Sequence, residues 1–129
     1  MTVLLDTQCW IWMTSFPERL SPASRALLDT IETELGFSAA SAWEMAIKHA
    51  RGKLRLPAPP AEYVRTRLRR TRTFPLPITH EHGLRAGALP RHHGDPFDRL
   101  LIAQAQLEGF RVMTSDPQFK RYDVDVIDA

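Results

Sequence analysis

A single cysteine, Cys9, excludes an internal disulfide and makes a reducing compartment the natural setting. No stretch is apolar for long enough to span a membrane. The opening Met-Thr-Val-Leu-Leu-Asp lacks the basic start and long apolar run of a secretion signal, so a cytoplasmic protein is expected. Tight-hairpin dipeptides are missing, and no internal repeat appears. A net charge of +2 is too small to argue for nucleic acid by itself. Zinc lacks its usual ligands: no second cysteine supports the histidines, and His80 and His82, two apart on an expected helix, point apart. What remains is an ordinary globular composition, 43% hydrophobic and 25% charged over 129 residues. Residues 1–129 are expected to form a single domain large enough to bury a core.

Thr2 to Leu5 is a short apolar run ending at Asp6, the pattern of a fully buried strand. Cys9 to Met13 reads as a helical turn or two. Ser21-Pro22 reads as an N-cap with a first-turn proline, opening a helix whose apolar positions are Leu27, Ile31 and Leu35. Gly36 to Ala39 is a weak strand. Ser41-Ala42-Trp43-Glu44 fits a capping box and begins a helix through about Ala50. A proline-rich link from Leu54 to Pro60 leads to a helix over Ala61 to Arg70, with Tyr63, Val64 and Leu68 inward. Phe74 to Ile78 is extended, Thr79 caps a helix through Ala88, and Pro90 to Gly94 is a loop. Asp95 and Pro96 then supply an N-cap and a first helical residue. The helix that follows has an apolar face of Phe97, Leu100, Leu101 and Leu107, and Gly109 ends it. Phe110 to Thr114 and Val124 to Ile127 complete the strands. Strands alternating with helices argue for an α/β fold with a mostly parallel sheet covered on both faces.

That topology makes a chemical prediction. Ligands of an open parallel sheet bind beyond the carboxyl ends of its strands, where the amino ends of the crossover helices also lie. Asp6, Glu44, Asp98 and Asp116, with Asp95 beside them, are all expected on that rim. Each has a bland role too: turn residue, capping box, dipole partner, cap. Together they form an oxygen-only set, which suits Mg²⁺ or Mn²⁺ and the hydrolysis of phosphodiesters. A phosphatase of the haloacid dehalogenase type would need an acid where Gln8 stands. A phosphoacceptor receiver would need a late lysine, and Lys120 is the only lysine beyond Lys53.

Four blocks carry a family resemblance: Leu4-Leu5-Asp6-Thr7, Ser41 to Lys48, Asp95-Pro96-Phe97-Asp98-Arg99 running on to Ala105, and Thr114-Ser115-Asp116. The chain resembles a PIN domain and, more narrowly, a VapC-type toxin ribonuclease of bacterial toxin–antitoxin pairs. The resemblance implies a three-layer α/β/α sandwich with a mostly parallel sheet. It implies catalytic, metal-holding acids at Asp6, Glu44, Asp98 and Asp116, with Asp95 an extra acid and Thr7 or Ser115 holding a metal-bound water. It further implies Mg²⁺-dependent cleavage of RNA to 3′-hydroxyl and 5′-phosphate ends, with Mn²⁺ as substitute, a small antitoxin as partner, and a homodimer. A catalytically inactive PIN-like domain, binding RNA or protein, is the competing expectation.

Of the 17 basic residues most are arginine, and Arg65, Arg67, Arg69, Arg70 and Arg72 crowd into eight positions. They are candidates to track an RNA backbone or to meet an acidic partner segment; a solvated helix face, or a biased source genome, accounts for them equally. His92 and His93 are candidates to approach a substrate phosphate or are solvated loop residues. Trp10, Trp12 and Trp43 are expected in the core. Trp10 and Trp12 cannot both face inward, so a partner surface is expected over one of them.

Overall fold

The computed structural model describes residues 1–129. Its five strands, β1 (Thr2–Leu5), β2 (Glu34–Ser38), β3 (Thr73–Leu76), β4 (Arg111–Thr114) and β5 (Val126–Asp128), form one sheet in the order β3-β2-β1-β4-β5. Every neighbouring pair is parallel. The helices are α1 (Thr7–Ser15), α2 (Pro22–Asp29), α3 (Ala39–Ala50), α4 (Pro60–Thr71), α5 (His80–Ala88) and α6 (Pro96–Glu108), with short 3₁₀ turns at Pro17–Arg19 and Pro117–Arg121.

β1 lies at the centre because it can be buried on both faces. Val3 and Leu5 point into one core with Trp10, Phe37, Met45, Tyr63 and Met113. Leu4, between them, points into the other with Leu101, Ile102, Val112 and Phe119. A strand with two cores shows no hydrophobic alternation, which is why this run reads as continuous. At Gly36 on β2 an added Cβ would stand 2.8 Å from the Phe74 ring on the neighbouring strand, so the glycine is where the aromatic packs. Gly109, at φ 72°, ends α6 in a left-handed conformation that glycine takes without steric cost.

Several local expectations are corrected. The helix after Ser21 stops at Asp29, leaving Ile31 81% exposed and passing Leu35 to β2. The spacing-four pattern there spanned two elements. The Ser41–Glu44 capping box does not form. β2 runs straight into α3, and the last strand residue, Ser38, accepts the Ala40 N–H at 3.0 Å. Glu44 therefore stands in the second turn, and the buried Ser41 hydroxyl has no partner. On α6 the inward residues are Leu101 to Ala105. Leu107 is exposed, and Phe97 and Leu100 are half-buried, because α6 packs against α5, α3 and β4 together. Trp10 is fully buried and stacked on Phe37, whereas Trp12 is half-buried and Trp43 is 60% exposed, so Trp43 is no core residue.

Candidate active site

Each strand along the centre of the sheet ends at a polar side chain. Asp6 follows β1 and caps α1, its Oδ1 accepting the Cys9 N–H at 2.7 Å. Its other oxygen accepts the Thr114 hydroxyl at 2.6 Å. Thr114, the last residue of β4, also accepts the Asp116 N–H at 3.0 Å, so one hydroxyl ties Asp6 to the Asp116 backbone. Asp116 in turn caps the following 3₁₀ turn through Gln118. From the β2 side, Glu44 accepts the Thr7 hydroxyl at 2.5 Å on Oε1 and pairs with Lys48 at 2.5 Å on Oε2. Asp95 caps α6, accepting the N–H groups of Phe97 and Asp98. Asp98 lies in the first turn of α6, with His93 Nε2 3.6 Å from its Oδ2.

Burial and mutual repulsion dominate the electrostatics. The Asp98 carboxyl is pushed up to about 8, first by burial and then by the charges of Asp95, Glu44, Asp6 and Asp116. All five acids thus share one field although they are spread over more than a hundred positions of sequence. Asp6 is also raised, by burial, with hydrogen bonds from Thr114 and Cys9 opposing it. Burial, with Asp6 adding to it, pushes the Cys9 thiol up, which keeps it neutral and unreactive. Lys48 is raised by its hydrogen bond to Glu44, with Asp95 and Asp98 contributing from further away. It is the cation closest to the cluster.

The donor set fits a hard divalent ion: it is all oxygen and carries excess negative charge. No three His, Cys, Asp or Glu side chains close into a ready-made coordination set. Glu44 has its two oxygens engaged by Thr7 and Lys48, while Asp98 keeps both free of hydrogen-bond donors closer than the His93 contact. Mg²⁺, which keeps several of its waters and binds through one or two carboxylates, does not require a closed cage.

Of the other candidates, Thr7 is engaged with Glu44, and Ser115 is exposed at the rim. His93 is held by Tyr122, its Nδ1 2.6 Å from the phenol oxygen, and His92 packs edge-on to the same ring. His82 is the buried histidine of α5, tied to Glu108 at 2.9 Å and to the Thr79 cap. Arg65, Arg69 and Arg72 line a separate groove with Leu68, Phe74 and Pro75, and Arg70 is exposed at the end of α4. Sequence reasoning missed Thr114, Lys48 and Tyr122. Lys48 was within reach, since it stands four residues after Glu44 on one helix. Thr114 and Tyr122 carry no local signal; only the parallel pairing of β1 with β4 brings Thr114 to Asp6.

An all-parallel five-stranded sheet with carboxylates gathered beyond the ends of β1, β2 and β4 defines a class of α/β domain. Comparison with protein families matches residues 3–125 to the PIN domain, and the chain belongs to that family. Among characterised relatives it is 32% identical over 122 residues to Ribonuclease VapC22 of Mycobacterium tuberculosis, covering 94% of this chain and 92% of that one. It is 46% identical over 59 residues to Ribonuclease VapC16 of the same organism, a match that spans 46% of this chain and 42% of that relative. Solved structures with the same fold include VapBC2 from Rickettsia felis bound to a DNA fragment from its promoter, at TM-score 0.71 and 16% identity over 100% of this chain and 99% of that chain. A toxin–antitoxin complex from Klebsiella pneumoniae has TM-score 0.65 and 19% identity over 98% and 96%.

Proposed function

We propose that this PIN domain is a divalent-metal-dependent endoribonuclease and the toxin of a toxin–antitoxin pair. The observation that supports it most is the convergence of Asp6, Glu44, Asp95, Asp98 and Asp116 on one field with Lys48 as their nearest cation. Unused, such a cluster only destabilises the fold. The names of the mycobacterial relatives point the same way.

Asp6, Glu44, Asp98 and Asp116 would hold Mg²⁺, or Mn²⁺ in its place, with Asp95 adding charge. When bound, the ion supplies Lewis acidity and an acidified water suited to in-line attack on phosphorus, giving 3′-hydroxyl and 5′-phosphate ends. The chain's own residues do the positioning. Cys9 N–H and the Thr114 hydroxyl fix the Asp6 carboxylate, and Thr7 fixes Glu44. Lys48 balances the charge of Glu44, a role that a bound cation would share. Burial and the neighbouring carboxylates favour the protonated form of Asp98, and a bound cation would favour the ionised form.

The antitoxin belongs on the surface that α3 and α4 form with the ends of β2 and β3. An apolar depression lined by Phe37, Ala42, Val64, Leu68 and Leu76 adjoins the arginine groove along α4, a surface suited to an amphipathic segment carrying acids. A homodimer is part of the same proposal, with Trp12 as the tryptophan a partner would cover. Purified chain with Mg²⁺ and single-stranded RNA tests the activity: cleavage is expected, and it should fall at least about a hundredfold in Asp6→Asn and Asp98→Asn. Wild-type rates in both variants would leave the inactive binding-module reading standing instead.

A further inference from the structure

Beside the acids, Gly87 of α5, Arg99 of α6 and the intervening Arg91, His93 and Gly94 line an open pocket of about 500 Å³ with no hydrophobic residue. Its charge is the reverse of the neighbouring carboxylates. Arg99 is locked in place. Its guanidinium donates to the carbonyls of Ala86, Leu89 and Pro90 at 2.9, 3.0 and 2.8 Å, closing the carboxyl end of α5. Those acceptors are neutral, and no ion pair in the chain involves Arg91, Arg99 or the nearby Arg121. Arg121 is anchored in the same manner, on the His92 carbonyl at 3.0 Å. Arg91 is exposed at the cavity and holds no carboxylate. The two glycines leave the walls open, since a Cβ at either would meet nothing within 4 Å.

The register of α6 fixes where this cavity lies. Successive helix residues are turned by about 100°, so Phe97 and Arg99 stand on opposite flanks of Asp98. His93 lines the cavity and reaches within 3.6 Å of Asp98, which makes the two compartments neighbours. A buried His93 Nε2 without a hydrogen-bond partner stands at their boundary.

We infer that this cavity seats a phosphodiester of the RNA strand next to the one that is cut, with Arg91 as its direct donor and Arg99 as a fixed background charge. The inference rests on the ribonuclease reading and adds to it the direction in which the strand leaves the acids. Guanidinium groups without carboxylate partners favour phosphate, and an acidic site that must hold a polyanion needs such a counterweight close by.

Binding of a single-stranded RNA oligonucleotide, measured in EDTA over a range of salt, tests it with the full chain. Arg91→Ala is expected to weaken binding about threefold to tenfold and to lower the salt slope by about 0.7, one phosphate contact. With Mg²⁺ the same variant should raise KM and keep kcat. Gly87→Glu, which puts a carboxylate into the cavity, should weaken binding at least as much, and Gly87→Ala should not. Unchanged slope and KM in both Arg91→Ala and Gly87→Glu, while wild type cleaves RNA, would overturn the phosphate seat and leave the nuclease reading intact. A wild-type chain that binds the oligonucleotide through Arg91 but never cleaves would do the opposite. Absence of both binding and cleavage would sink the two together.

Discussion

Asp98 carries the largest consequence of any single side chain. Its carboxyl is raised from 3.8 to about 8, so the folded state retains a proton that the unfolded chain releases between those values. The stability that follows is complete below the lower value and is lost as pH climbs through the upper one. Metal-free protein should therefore melt at progressively lower temperature from pH 5 to pH 8. Asp98→Asn should raise the melting temperature in EDTA at pH 8 by at least about 3 °C, with the gain shrinking toward pH 4. Equal gains at both ends would show that the carboxyl is not under the strain described. Thr114 matters for a different reason: its hydroxyl serves both Asp6 and the Asp116 N–H. Thr114→Val strands a buried carboxylate oxygen and a backbone donor, and should cost about 1–3 kcal/mol in urea unfolding while slowing cleavage.

The start of α6 separates two roles of one acid. Asp95 caps the helix and also raises Asp98. Asparagine caps equally well without the charge. Asp95→Asn should thus leave thermal stability equal or higher, whereas Asp95→Ala should fall about 1 kcal/mol below Asp95→Asn. Identical losses in both would mean that the cap contributes nothing. On β2, Gly36→Ala drives a Cβ into the Phe74 ring and should cost about 1–3 kcal/mol by denaturant unfolding. These elements also show what could be read in advance. The α6 cap, the Gly109 stop and the Thr79 start follow from local chemistry, and each stands where the residues announced it. The start of α3 did not, because a strand that enters a helix without a loop uses its own last residue as the cap. Leu35 deceived for a related reason: helical spacing persisted across Thr30 to Thr33, where the chain turns and becomes a strand. Trp43 was misplaced because composition favours a buried indole, and only the packing of α3 shows that its face points out.

Across the molecule, five acids from four segments share one field because every strand of the sheet is parallel. Alternation of short apolar runs with capped helices is enough to infer a mostly parallel sheet, and a parallel sheet directs attention to the carboxyl ends of its strands. The fine geometry was not available that way. The Thr114 bridge depends on β1 lying beside β4 across a hundred residues, and the Lys48 pairing depends on how Glu44 turns within α3. The charge distribution divides along the same plan, with acids beyond the strand ends, arginines closing the α5–α6 loop beside them, and a second arginine group on α4 facing an apolar groove. On the proposed function, the clustered carboxylates take up a divalent cation. Calorimetric titration of the metal-free chain with Mn²⁺ at pH 7.5 addresses it most directly. Saturable binding that is lost in Asp98→Asn and in Asp6→Asn, with proton release in the wild type, is the predicted result; no saturable heat, or wild-type affinity in both variants, would contradict it.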